Sequence, residues 1–278
     1  NTIPAIQGQD KEEEISPLED IDIDLVEEIE SDLVKYIQVS SNANSGGSTT
    51  AMIMAKSGAE EGKTLLVDLS HSLGLSYLAE VNLHPEEYIE MDLTEMARSR
   101  SDKIEFMLDN SRSDINLHIM RVTLPLVREI GYGVLEFLVS NILNLVEDNY
   151  RYIVLDIPFD VSRHYKSLSD KIDLLIAVSP PYLNNFIPML NRLEESMGKS
   201  HLYKRDRMVY FISGIPNQNG IKPVSRNILA SYNKNILNKN TPITAIHISN
   251  SQNYVQPHIF REIIDMGNSF IEEEETSR

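Results

Sequence analysis

The 278-residue chain predicts an α/β domain with a mostly parallel sheet and helices on both faces. Three observations predict it. Short apolar, β-branched runs recur along the chain, and longer stretches with helical spacing separate them. The runs show little polar alternation, as expected of strands buried on both sides. The composition, 41% apolar and 24% charged, is that of a globular protein long enough to bury its own core.

Taken in order, residues 1–17 (NTIPAIQGQDKEEEISP) are polar, acidic and interrupted by Pro4 and Pro17, which reads as a solvated linker. Leu18, Ile21, Leu25, Val26, Ile29 and Leu33 then fall at helical spacing, predicting a short acidic helix packed on the domain edge. Residues 1–35 are thus expected to be linker and helix, 36–270 the α/β domain, and 271–278 an acidic tail. Within the domain, YIQVS (36–40), TLLVDL (64–69), NLHIMR (116–121), YIVLDIP (152–158), DLLIAVS (173–179), MVYFIS (208–213) and TAIHIS (244–249) are the predicted strands. Helices are predicted at Thr49–Gly62, Pro85–Arg98, Gly133–Asp148, Leu183–Met197, Val224–Leu237 and Pro257–Phe270. In the helix predicted at Gly133–Asp148, Val134, Leu138, Ile142, Leu145 and Val146 are expected to share one face.

The formal charge of −17 is uneven: residues 1–30 carry −10 and residues 271–278 carry −3, leaving −4 on the body. A near-neutral body with acidic ends is a poor match for nucleic acid, which is bound through basic patches. With no cysteine, disulfides and thiolate metal sites are excluded, and a reducing, cytoplasmic setting is permitted. No apolar run near 18 residues stands out, so no membrane insertion is expected. The acidic C-terminal end, Glu272–Glu275, also argues against attachment through a basic amphipathic helix.

In a parallel sheet, ligands bind at the carboxyl ends of the strands. The loop after the first strand reads Ser41-Asn42-Ala43-Asn44-Ser45-Gly46-Gly47-Ser48-Thr49-Thr50 and leads into a helix. Such small residues let backbone N–H groups curl around an anion at the positive end of the helix dipole. Laid over G-x-x-x-x-G-K-[ST], Asn42 takes the first glycine position, where it is expected to accept a left-handed conformation. Gly47 matches the second glycine, Ser48 replaces the lysine, and Thr49 matches the hydroxyl that binds magnesium. Residues 44–50 (Asn44, Ser45, Gly46, Gly47, Ser48, Thr49 and Thr50) are therefore the expected nucleotide cradle. Two apolar strands end in aspartate, LLVD at Asp68 and YIVLD at Asp156, where such an enzyme needs acids to hold Mg²⁺ with Thr49 or to orient water.

With these motifs in order, the chain resembles the MinD/ParA deviant Walker A superfamily of P-loop ATPases. Within it, the chain resembles the CpaE/TadZ proteins of Tad (Flp, type IVb) pilus assembly. The resemblance rests on SGGSTTAMIMAKSGAEEGKTLLVDL (45–69), SLGLSYLAEVNLHPEEYIEMDLTEMA (72–97) and VLEFLVSNILNLVEDNYRYIVLDIPFD (134–160). It implies ATP and Mg²⁺ as ligands, Asp68 and Asp156 as the acids of any active site, and a homodimer. It also implies pilus or secretion proteins as partners, and a place at the cell pole or against the inner membrane through them. CpaE/TadZ proteins carry a receiver-like domain before the ATPase domain, which would make residues 1–35 the end of its linker.

Departures from the family pattern matter as much. The superfamily's signature lysine falls on Ala43 and the P-loop lysine on Ser48, while the strand-ending D-x-D is Asp68-Leu69-Ser70. The asparagine that often reads adenine falls near Ser213. Losing one charge-stabilising donor costs about 10²–10³ in rate, and here two are gone. The expectation is a degenerate scaffold for pilus machinery that binds ATP without efficient hydrolysis, if it binds it at all. Two alternatives stand beside it: an active positioning or partitioning ATPase in which Lys56, Lys63 or Arg163 substitutes, and a nucleotide-free interaction module. The seven histidines show no metal-ligand spacing, and His71 is given no role. Tyr182, Phe186, Met189 and Leu193 form a stripe read as core or dimer surface.

Overall fold

The computed structural model describes residues 34–71, 74–93, 114–122, 124–179, 208–212, 222–223, 243–245 and 257–276. All of them belong to the compact unit Asp32–Arg278. The strands among them are β1 (Tyr36–Ser41), β2 (Thr64–Asp68), β3 (Tyr88–Asp92), β4 (Leu117–Arg121), β5 (Tyr152–Asp156), β6 (Leu174–Ser179), β7 (Met208–Ile212), β8 (Lys222–Pro223) and β9 (Ile243–Ala245). They form one sheet in the order β3-β4-β2-β5-β1-β6-β7-β9-β8. Every pairing is parallel except β8 with β9.

The helices are α1 (Gly47–Glu61), α2 (Gly74–Asn82), α3 (Leu124–Val146, continued by a 3₁₀ turn to Asn149), α4 (Phe159–Ser162), α5 (Lys166–Ser169) and α6 (Pro257–Thr276). Alternate residues of the central strands feed two separate cores, which is why those strands read as unbroken apolar runs. Ile37, Leu66, Val154 and Ile176 pack with Met54 of α1, Leu75 of α2 and Phe260 and Ile263 of α6. Leu65, Val67, Leu155 and Leu175 pack on the opposite face with Leu135, Val139 and Leu143 of α3, Phe159 of α4 and Leu168 of α5. The expected α/β architecture, a parallel sheet covered on both sides, is what the chain adopts.

Several elements differ from the sequence reading. Instead of a helix from Pro85, residues 85–87 form a turn, where the Glu87 carboxylate accepts from the His84 N–H at 2.9 Å, and Tyr88–Asp92 is strand β3. Its two-residue alternation, with Met91 buried and Glu90 exposed, suits an edge strand paired only with β4. Helix α2 was not predicted, and α1 begins two residues before Thr49. Helix α6 runs past Phe270 to Thr276, with Ile271 still in the core.

The largest difference lies in α3. Its helix starts at Leu124 and bends at Gly131 (φ 74°, ψ 163°), a left-handed position open to glycine. The buried face is Leu135, Val139, Ile142, Leu143 and Val146, so two of the five residues expected on one face, Val134 and Leu145, are exposed instead. The helix carries more apolar residues than one buried face needs, and periodicity alone could not choose between two stripes. For the same reason residues 125–149 are long and apolar enough, by length and composition, to cross a membrane, which the sequence reading did not register. One side of this helix packs into the core beneath it. The predicted helices at 183–197 and 224–237, the stripe at 182–193, Ser213 and residues 1–33 lie outside the described residues.

Candidate functional site

Strands β2, β5 and β1 are neighbours, and their carboxyl ends place the predicted loop and acids together. In the parallel register Asp68 of β2 stands opposite Asp156 of β5, and Asp156 opposite Val39 of β1. Two residues beyond Val39, β1 ends at Ser41 and the loop begins. Backbone bonds lock this corner: Leu69 N–H donates to the Asp156 carbonyl at 3.1 Å, Ile157 N–H to Val39 at 3.0 Å, and Ser40 Oγ to the Ile157 carbonyl at 2.5 Å.

The loop itself turns twice through left-handed backbone, at Asn44 (φ 58°) and Gly46 (φ 86°). Asn44, not Asn42, is the non-glycine residue here with positive φ, so the expected conformational role moves two residues along. Asparagine tolerates it through its short side chain. Ser45 N–H closes the turn on the Asn42 carbonyl at 3.2 Å, and Gly46 caps α1 by receiving Thr50 N–H at 2.9 Å. Gly47 is required by packing: a Cβ there would overlap Ser41 Oγ and come within 2.8 Å of Ser41 Cβ. This glycine lets the helix start lie directly on the strand end.

The loop encloses a cavity of about 370 Å³, lined by residues 41–49 together with Ser70, Pro158, Asp160 and Val161. Of the seven predicted cradle residues, Asn44 to Thr49 line it. Thr50 does not: it is buried, and its Oγ1 donates to the Gly46 carbonyl at 2.9 Å. None of Lys56, Lys63 and Arg163 is among the lining residues. Lys56 Nζ lies 3.9 Å from Glu87, Lys63 lies over the Tyr150 ring, and Arg163 bonds His164. Asp160 is the one charged residue in the lining, and it is acidic.

Asp68 and Asp156 sit just behind this lining, each 1% exposed and each reached through a serine that does line it. Asp68 Oδ1 accepts from Ser70 N–H at 2.9 Å and Ser70 Oγ at 2.5 Å, while the side chain of Ser48 hydrogen-bonds Asp156. Oδ2 of both aspartates is buried without a partner, as is Asn42 Oδ1. Burial dominates their acidity. It pushes Asp156 up to about 7, with help from the Asp68 charge and against the Ser48 bond. It raises Asp68 to about 6, opposed by the Ser70 bonds and by Arg121. Among the described residues no three His, Cys, Asp or Glu side chains come together as a metal site.

Two residues here went unread in the sequence. Ser70, which replaces the second acid of D-x-D, caps Asp68. His71, given no role, adopts φ 57° and places Nε2 2.6 Å from Tyr165 Oη, beside Tyr132, which stacks on His164 at 4.0 Å. Burial lowers the His71 imidazole to about 4. The contact spans 94 positions, so nothing local announces it.

The fold recurs in solved structures. Over 87% of this chain it superposes on 92% of a ParA-family ATPase from Chlorobium tepidum, with TM-score 0.54 and 17% identity. The fold is that of the ParA ATPases. Apo McdA from Cyanthece shares it (TM-score 0.51, 14% identity, 86% of this chain and 98% of that one). So does pNOB8 ParA bound to nonspecific DNA (TM-score 0.51, 14% identity, 88% and 100%). No protein-family model and no curated protein matches the chain. The chain thus has the ParA fold at 14–17% identity to these structures, with Ala43 and Ser48 at the positions where the sequence resemblance leads one to expect lysines.

Proposed function

We propose that this chain is a ParA-fold scaffold that localises or assembles Tad/Flp pilus machinery and does not hydrolyse ATP efficiently. The observation that carries the catalytic half is the cavity lining: among the described residues it holds no lysine or arginine, and Ser48 is hydrogen-bonded to Asp156. Phosphoryl transfer rests on positioning and charge neutralisation. The shape of the loop fits a phosphate group, with the left-handed turns at Asn44 and Gly46 opening the backbone at the start of a 15-residue helix. Its charge does not fit a hydrolysing site. Bound ATP would lie along Asn44–Thr49, and Mg²⁺ would supply neutralising charge, held by Thr49 with Asp68 and Asp156. The pilus half rests on the three sequence segments that resemble CpaE/TadZ proteins. With it come a homodimer, pilus or secretion partners and a cytoplasmic place at the pole or beside the inner membrane. The reading of an active partitioning ATPase is weakened by where Lys56, Lys63 and Arg163 lie. A steady-state ATPase assay decides: turnover at the background level supports the scaffold. Turnover like that of ordinary MinD/ParA enzymes, abolished by Asp156→Ala, would overturn it.

A further inference from the structure

His71 stands one residue past Ser70, which lines the cavity, and adopts φ 57°, a left-handed backbone that a histidine enters only at a cost in energy. Strain of this kind persists where surrounding contacts over-determine it. Here the imidazole Nε2 lies 2.6 Å from Tyr165 Oη, across 94 positions of sequence. Tyr165 is itself fixed, 2% exposed and part of the core under α3. Tyr132, next to the left-handed bend at Gly131, covers the pair: its ring lies 5.4 Å from that of His71 and 6.5 Å from that of Tyr165. A hydrogen bond sheltered from water in this way is stronger than an exposed one.

The two partners are attached to different segments of the cavity lining. Ser70, beyond the end of β2, is one segment; Pro158, Asp160 and Val161, beyond β5, are the other. From Pro158 to Tyr165 the chain is tied turn by turn: Val161 N–H donates to the Pro158 carbonyl at 3.1 Å, His164 N–H to Val161 at 2.9 Å and Tyr165 N–H to Ser162 at 3.0 Å. Tyr165 therefore goes with the α4 segment, and His71 with Ser70. We propose that His71 is a positioning residue for the cavity, its bond to Tyr165 bracing the Ser70 segment against the α4 segment and fixing the opening between them. Ser70 in turn holds Asp68 Oδ1 through its N–H and Oγ, so the brace extends to an acid of the floor. Without it a ligand would have to order Ser70 on binding, and apparent affinity would fall with the fraction of molecules already braced. As an aid to nucleotide binding the brace rests on the ATP reading of the cavity; as a tie within the lining it does not.

Two measurements on the full chain test it. In the first, fluorescent ATP with Mg²⁺ is titrated against wild type, Tyr165→Phe, His71→Asn and the double variant. Asparagine accepts the left-handed backbone, but its amide stops one bond short of the Nε2 position. Each single variant should bind about fivefold more weakly, the worth of one neutral hydrogen bond, and the double variant no more weakly than either. In the second, amide hydrogen exchange is followed without ligand. The Ser70 N–H should exchange about fivefold faster in Tyr165→Phe, while the Thr50 N–H, bonded to the Gly46 carbonyl at the start of α1, keeps its wild-type rate. A side chain that merely packs would lower stability and move neither readout. Unchanged affinity in both single variants, additive losses in the double variant, or unchanged Ser70 exchange would each overturn the brace. A wild type that binds no ATP, with Ser70 exchange still raised by Tyr165→Phe, would overturn the nucleotide reading and uphold the tie within the lining.

Discussion

The loop and the floor of the cavity have parted ways. The floor keeps both acids at adjacent strand ends, Asp68 opposite Asp156. The loop keeps its backbone, with left-handed turns at Asn44 and Gly46 and the close approach at Gly47, but its two lysine positions are Ala43 and Ser48. The fold therefore depends on the backbone geometry of this corner and not on its cations. Burial raises both carboxyls toward neutrality, opposed at Asp156 by the Ser48 hydroxyl and at Asp68 by the Ser70 hydroxyl and N–H and by Arg121.

The backbone half of the comparison breaks most visibly at Gly47. Gly47→Val forces side-chain atoms into Ser41, and overpacking of this kind costs about 1–3 kcal/mol, more where backbone cannot move. Urea denaturation should show a lower midpoint, and an unchanged midpoint would mean the helix start can lift off the strand.

The charge half is sharpened by Asp156→Asn. Because burial raises Asp156 to about 7 from 3.8, its protonated form is the one folding favours. Stability from this group is present below pH about 4 and is lost as pH rises through about 7. The histidines act oppositely: His71 and His118, both lowered to about 4 by burial, lose stability as pH falls from 6.5 toward 4. The useful quantity is therefore the difference between variant and wild type. Asp156→Asn should gain on wild type by roughly 3–4 kcal/mol between pH 4 and 7.5, and urea midpoints across that range would show it. A difference that stays flat or falls would mean that a cation compensates Asp156.

A smaller effect is expected at Tyr165→Phe. It deletes the hydroxyl bonded to His71 Nε2 at 2.6 Å, and about 1 kcal/mol of stability should go with it in thermal or urea unfolding. The loss should be nearly absent in a His71→Leu background, where the bond no longer exists.

Most of the frame was legible because central parallel strands announce themselves. TLLVD and YIVLD are apolar on both faces and end in an acid, and both lie where the sequence puts them. Strand β3 was not legible, because YIEMD has the acids of an exposed edge and follows a proline that imitates a helix start. In α3, two apolar stripes fit the same period, so Val134 and Leu145 were given to the wrong face. At the site, the acids and the loop could be named from spacing. The Ser48 cap on Asp156 could not, since α1 and β5 are distant in sequence and meet only in the fold.

Among the described residues, the loop cavity pairs a phosphate-shaped backbone with a lining free of lysine and arginine. The most direct measurement is a titration of wild type and Ser48→Lys with fluorescent ATP in Mg²⁺, side by side. A lysine at this position pairs with Asp156 and reaches the phosphates, so Ser48→Lys should bind at least about tenfold more tightly, the equivalent of 1.4 kcal/mol. Equal affinity, or tighter binding by wild type, would contradict the account.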